Sequence, residues 1–181
     1  MDTYKVKFTI LQMEIFRLLC IKAGAKLNQR QIAKLLKVSP TAIANSISKL
    51  ENEELILKEK QKNMNLNLIM LNRNNKKVMH LKRVENLRLL YESGLEEFME
   101  EELPGATIIL FGSYSRGDDT ASSDIDIAVI GRKEKEIKLE NFEKCLERKI
   151  ILNFYHSLKD IHKELKENLC NGIVLSGGIE L

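Results

Sequence analysis

Asp124 and Asp126 stand two residues apart in the run "SDIDIAVIG". On a β-strand that spacing puts both side chains on one face. Two carboxylates held so close repel, and one tends to keep its proton unless a cation is offered to them. Upstream, the apolar run "ATIILF" ends in Gly112-Ser113. Glycine allows close approach of the backbone, and N–H groups at such a turn attract phosphate, with the Ser113 hydroxyl as a further donor. Arg116 sits one turn on and can reach an anion. Hard carboxylate oxygens beside a phosphate-binding turn suit Mg²⁺ together with a nucleoside triphosphate.

These residues need a small sheet to hold them. "ATIILF", 106–111, reads as a buried strand, "SYSRG" as the start of a helix and "GDDTASS" as a loop. "DIDIAVIG" returns as a strand with Ile125, Ile127 and Val129 turned to the core. A third strand is "RKIILNFYHS", 148–157, with Ile150, Leu152 and Phe154 on one face and Ile151, Asn153 and Tyr155 on the other. A helix follows from about Ser157 to Leu169, with Ile161, Leu165 and Leu169 inward. Gly172 closes it before a last strand, "IVLSG".

The front half has a different character. Residues 1–84 carry 17 Lys/Arg against 6 Asp/Glu, a net +11, whereas residues 85–181 carry 12 against 20, a net −8. Such asymmetry predicts two modules with different partners, the basic one suited to a polyanion. Phe8, Leu11, Ile15, Leu18 and Leu19 keep helical spacing, and Gly24 ends that helix. Asn28 is an N-cap for a second helix with Ile32, Leu35 and Leu36 inward. Ser39 caps a third, with Pro40 at the first helical position, where proline fits best. This helix runs to about Leu55, and Thr41, Asn45, Ser48, Lys49 and Asn52 share its polar stripe. Two β-prone runs, about 55–60 and 66–72, form a hairpin around "QKNMN", with Lys58, Lys60 and Lys62 near its tip.

Helix, turn, helix and hairpin in this order resemble the winged helix-turn-helix of prokaryotic regulators, over roughly residues 8–72. The resemblance implies a duplex DNA partner. Thr41, Asn45, Ser48 and Asn52 would meet base edges, and Lys49 with the wing lysines would meet phosphates. Lys26, Arg30, Lys34 and Lys37 add to the basic surface. A protein–protein docking module remains the other reading of the same unit.

Between the modules, "KKVMHLKRVENLRLLYESGLEEFMEEELPG" reads as one long helix or two, about 76–102, stopped by Pro104-Gly105. Val78, Leu81, Val84 and Leu87 keep helical spacing in it. The expected organisation is a winged-helix domain at 1–74, a helical connector at 75–104 and a second domain at 105–181. The fold class is α+β, with a small mixed sheet in the second domain.

"LFGSYSRGDDTASSDIDIAVIG" resembles the GS-x-x-R-G…S-D-x-D signature of the DNA polymerase β-like nucleotidyltransferase superfamily, its minimal nucleotidyltransferase branch above all. The resemblance covers about residues 90–178. It implies that Gly112 and Ser113 hold the β- and γ-phosphates, with Arg116 near the nucleotide and Ser123 shaping the loop. Asp124 and Asp126 would be the metal ligands and catalytic carboxylates. The reaction would be in-line attack of a hydroxyl on the α-phosphate of ATP or another nucleoside triphosphate, with Mg²⁺ as cofactor. Ser176-Gly177-Gly178 would lie near the base.

Active members of that superfamily carry a third carboxylate on a later strand, and the position assigned to it here is Asn153. Asparagine can offer a carbonyl oxygen to a metal but cannot take a proton. Substitution by Glu147 or Asp160, a base role for His156, and a domain that binds nucleotide without turnover all stay open. Small members of the branch often pair with a helical partner protein in toxin–antitoxin modules. The expected function is therefore a DNA-binding protein with Mg²⁺-dependent nucleotidyl transfer; the alternative is a transcriptional regulator whose second domain binds nucleotide or dimerises. A homodimer is expected, since winged helices commonly bind DNA in pairs.

Cys20, Cys145 and Cys170 are odd in number and widely spaced, which reads as buried reduced thiols in a cytoplasmic protein. No apolar run approaches the roughly 18–20 residues of a membrane span, and "MDTYKVKFTI" lacks a secretory apolar stretch.

Overall fold

Two side-chain caps set the start of the first unit's central helices. The computed structural model describes residues 7–61 and 66–179. After α1 (Ile10–Ile21), the Asn28 side chain accepts from the Gln31 backbone N–H at 3.0 Å, and Gln31 reciprocates, opening α2 (Gln29–Leu36). Ser39 accepts from the Ala42 N–H, and Pro40 begins α3 (Pro40–Asn52). Each cap satisfies a backbone donor that a helix start otherwise leaves unpaired. The wing strands β2 (Ile56–Gln61) and β3 (Leu66–Leu71) pair antiparallel, and the two-residue β1 (Leu27–Asn28) adds to β3, giving the order β1-β3-β2. Ile15, Leu19, Ile32, Ile43, Ile47, Leu50 and Ile69 are fully buried beneath them. Leu35, expected inward, is 49% exposed; an eight-residue helix at 3.6 residues per turn buries one narrow stripe, and Ile32 and Ala33 occupy it.

Compact units divide between Val78 and Met79, inside α4 (Lys76–Glu92). The connector helices are not spacers. Leu90 of α4 and Leu95 and Met99 of α5 (Leu95–Glu102) belong to the main core of the second unit. Val84, which keeps apolar spacing with Val78 and Leu81, is nevertheless 61% exposed.

The second unit's sheet has the order β6-β5-β4-β7. Strand β4 (Thr107–Phe111) lies antiparallel to β5 (Ile125–Ile130) and to β7 (Ile173–Ser176), while β6 (Ile150–Tyr155) runs parallel to β5. Alternation divides the core across two faces. Ile108, Leu110, Ile125, Ile127 and Val129 join the helical side, which includes α7 (Glu140–Leu146) through Leu146. Ile109, Ala128 and Ile130 join Leu169 of α8 (Lys163–Cys170) and Ile161 on the other. Among the described residues no helix is long and apolar enough to cross a membrane. None of the three cysteines is in a disulfide; Cys145 and Cys170 are exposed rather than buried as expected, and Cys20 is buried.

Candidate nucleotide site and DNA-binding face

Phe111 pairs with Asp126, so β4 ends where β5 begins and the glycine-serine turn meets the carboxylates. Gly112 opens the five-residue α6 (Gly112–Arg116) at φ +74°, a conformation glycine adopts without strain. A Cβ there would stand 2.5 Å from Asp126 Oδ2. The carboxylate therefore fills the space a side chain would take. Asp124 is exposed and Asp126 half-buried, on the sheet face shared with Ala128 and Ile130. Burial pushes the Asp126 carboxyl above its usual range, the Asp124 charge adds to the rise, and Arg116 opposes it.

The remaining predicted nucleotide residues surround this corner. The Ser113 side chain is half-buried, while Arg116 is exposed and pairs with Asp118 at 3.2 Å. The Ser123 hydroxyl accepts from the Thr120 N–H at 3.0 Å, closing the loop on itself. Among the described residues no group of three or more His, Cys, Asp or Glu gathers to hold a metal. A pair of carboxylates, Asp124 exposed and Asp126 half-buried, is a donor set that fits Mg²⁺, which retains waters and takes substrate phosphate oxygens.

The third-acid assignment needs correction. In the parallel β5–β6 pair Asp126 stands opposite Ile151, and Asn153 stands opposite Ala128. Asn153 shares the face but lies one same-side step further from the corner, about 6.6 Å along the strand. The side chain offered to Asp126 is thus an isoleucine, 40% exposed. His156 and Asp160 follow Tyr155, which pairs with Ile130 at the other end of β5, so neither reaches the pair. Glu147 is exposed, in the left-handed turn that caps α7. A second correction concerns Ser176-Gly177-Gly178. Ser176 pairs with Ile108, so this segment lies at the end of β4 away from Gly112, not beside the nucleotide corner.

One feature escaped the sequence reading. Lys82 and Asp119 form a fully buried ion pair, and Asn86 Nδ2 donates to Asp119 Oδ1 at 2.7 Å and to the Tyr114 carbonyl at 2.9 Å. Arg148 approaches the same carboxylate at 3.6 Å. Burial, then the Asp119 charge, pushes the Tyr114 phenol well up. Gly117 packs so close to α4 that a Cβ would meet the Met79 carbonyl at 2.5 Å. The turn that carries Ser113 is therefore tied to α4 at Tyr114, Gly117 and Asp119. Nothing in "GDD" separates the buried Asp119 from the exposed Asp118; only the paired lysine, seven residues into a charged helix, hints at it.

In the first unit Thr41, Asn45, Ser48, Lys49 and Asn52 are all exposed on α3. Lys58 pairs with Glu51 of α3, and Lys26 pairs with Glu59 at 2.6 Å, so both cations are partly neutralised. Lys60 is exposed on β2, and Lys62 lies outside the described residues.

With this geometry in place, the comparisons define the class. The nucleotidyltransferase domain family matches residues 92–174, and the winged helix-turn-helix DNA-binding family matches residues 18–56. The chain fuses a winged helix-turn-helix to a nucleotidyltransferase domain. No curated protein matches it. Among solved structures it is similar to Lactococcus lactis ZitR, described as a zinc-responsive MarR family member, at 25% identity and a TM-score of 0.40, covering 56% of this chain and 65% of that one. It is similar to ZitR in complex with DNA at 24% identity and a TM-score of 0.40, covering 56% and 64%. The S. aureus MepR–DNA complex follows at 18% and 0.39, covering 53% and 78%. The chain spans 62–66% of the length of the ZitR chains it matches first. Likeness this partial adds nothing to the domain assignment.

Proposed function

We propose that the chain is a DNA-binding regulator whose nucleotidyltransferase-type domain takes a nucleoside triphosphate with Mg²⁺ and holds it without turnover. The observation that carries this reading is Ile151 opposite Asp126, where a third carboxylate would be needed to draw the proton from an attacking hydroxyl. Asp124 and Asp126 would hold the ion, which when bound neutralises phosphate charge and aligns its oxygens. The Gly112 and Ser113 N–H groups and the Ser113 hydroxyl would receive the β- and γ-phosphates. Arg116, exposed on its bridge to Asp118, can exchange that surface partner for phosphate at little cost.

In the first unit, α3 would enter the major groove of duplex DNA with Asn45, Ser48, Thr41 and Asn52 toward base edges. Lys49, Lys60 and Lys58, with Lys62 beyond the described strand, would supply phosphate contacts. The protein would act as a cytoplasmic homodimer on DNA, with no membrane partner.

Nucleotidyl transfer is the second reading. The intact aspartate pair and glycine-serine turn favour it, with an acceptor that brings its own base; a helical partner protein of the toxin–antitoxin type is one candidate. Full-length protein with Mg²⁺ and α-phosphate-labelled ATP separates the two. The expected result is saturable binding that Asp126→Ala weakens about tenfold or more, with label recovered only as ATP. Label passed to an acceptor and lost in Asp124→Ala replaces holding by transfer. Absence of ATP binding overturns both.

A further inference from the structure

Strand β4 has two ends, and the nucleotide corner occupies one. At the other, Thr107 pairs with Ile130, four residues and about 13 Å from the Phe111–Asp126 pair. A cleft of about 840 Å³ opens there, within the roughly 300–1,000 Å³ typical of small-molecule sites.

Its walls have two characters. His156, Lys159 and Lys166 face it from the segment after β6 and from α8. Among the described residues neither lysine has a carboxylate partner, and none of the described lining residues is acidic. Apolar lining comes from Ala106, Ile130, Leu158 and Ile179. Lys159 and His156 are exposed and Lys166 half-buried, so the cations keep their water until a ligand arrives. The far wall is held in place. Thr107 Oγ1 donates to the Gly178 carbonyl at 2.7 Å, and Gly177, at φ +79°, lies so near β4 that a Cβ would meet the Ala106 carbonyl at 2.7 Å. Glycine is required for that approach, and the approach forms the wall.

We propose that this cleft is a second ligand site, for a small organic anion with an apolar body and a carboxylate, phosphate or sulfonate head. The head would sit between Lys159 and Lys166, with His156 as a third donor. The apolar body would cover Leu158 and Ile179, which are partly exposed, and remove their surface from water. Unpaired cations in a concave, partly apolar wall attract such a molecule more strongly than cations on a flat surface, because the ligand displaces water from both. The site stands apart from Asp124 and Asp126 and does not depend on any reading of them.

The protein contains its own reporter. Cys170 lines the cleft and is exposed, Cys145 is exposed on α7, and Cys20 is buried. Full-length protein is titrated with the anionic dye anilinonaphthalene sulfonate, and iodoacetamide labelling of Cys170 and Cys145 is followed by mass spectrometry. At about ten times its dissociation constant the dye is expected to slow Cys170 labelling about tenfold and leave Cys145 unchanged. The uncharged analogue phenylnaphthylamine is expected to protect poorly. A Lys159→Gln/Lys166→Gln variant, changed only at exposed or half-exposed positions, is expected to keep its circular dichroism spectrum and bind the dye about tenfold more weakly. Asp126→Ala is expected to bind it as the parent does. Equal protection of both cysteines, equal affinity for the neutral analogue, undiminished affinity in the double-lysine variant, or displacement of the dye by Mg²⁺–ATP would each overturn the proposal.

Discussion

Gly112 and Asp126 share one small volume, so a side chain at residue 112 has no room while the carboxylate stands there. Gly112→Ala places a methyl 2.5 Å from the carboxylate oxygen and forces a left-handed backbone on an L-residue. The backbone alone costs about 1–2 kcal/mol; urea denaturation should show at least that loss, and a nucleotide titration should show loss of the proposed ATP binding. Asp126 also makes stability depend on pH. Its folded carboxyl holds the proton more tightly than the unfolded one, so stability falls as pH rises from the ordinary aspartate range through the raised value. In Mg²⁺-free buffer Asp126→Asn should melt above the parent at neutral pH, by less than about 1 kcal/mol after solvent screening. The advantage should vanish in acid, where both carry no charge at this position; thermal melts at both pH values test it. Of this corner, the sequence declares the aspartate pair and the turn by residue type. It does not declare the neighbour across β6. Alternation assigns Ile151 and Asn153 to one face, but the pairing that chooses between them is set by the long crossover through α7, which no local pattern encodes.

Caps and turns are the elements most openly written in the chain. Asn28, Ser39 and Pro40 each begin the helix their chemistry predicts, because the hydrogen bonds involved are local. Buried polar pairs are the opposite case, since Lys82 and Asp119 are 37 residues apart. Removing Asp119 leaves the Lys82 and Arg148 charges without it, both in the interior. Asp119→Ala should therefore destabilise the second unit by about 3–5 kcal/mol. Asp118→Ala, at an exposed carboxylate one residue earlier, should cost less than about 1 kcal/mol. Denaturant titration of the two variants side by side distinguishes the adjacent acids.

At the scale of the molecule, the +11 front half makes salt the natural variable for the proposed DNA binding. Each phosphate contact contributes about 0.9 to the slope of log affinity against log salt. Lys49→Gln and Lys60→Gln should each lower that slope by about one on duplex DNA. Lys58→Gln should lower it less, because Glu51 already neutralises that lysine. Fluorescence anisotropy over a salt series measures all three. Equal slopes in every variant would move the contact surface elsewhere. The basic bias was plain in the composition; which lysines stay available was not, since that depends on Glu51 and Glu59 folding back toward them.

The pairing of β4 with β7 has a kinetic consequence. Ile109 meets Val174, 65 residues later, whereas the helices of the first unit close on near neighbours. Contacts that distant form slowly because a long loop must be closed before they repay it. On a ribosome, which emits chain in one direction, the winged module can be complete while the four-stranded sheet still waits for its last partner. On the proposed function, a nascent chain would grip a nucleic acid before it could grip a triphosphate.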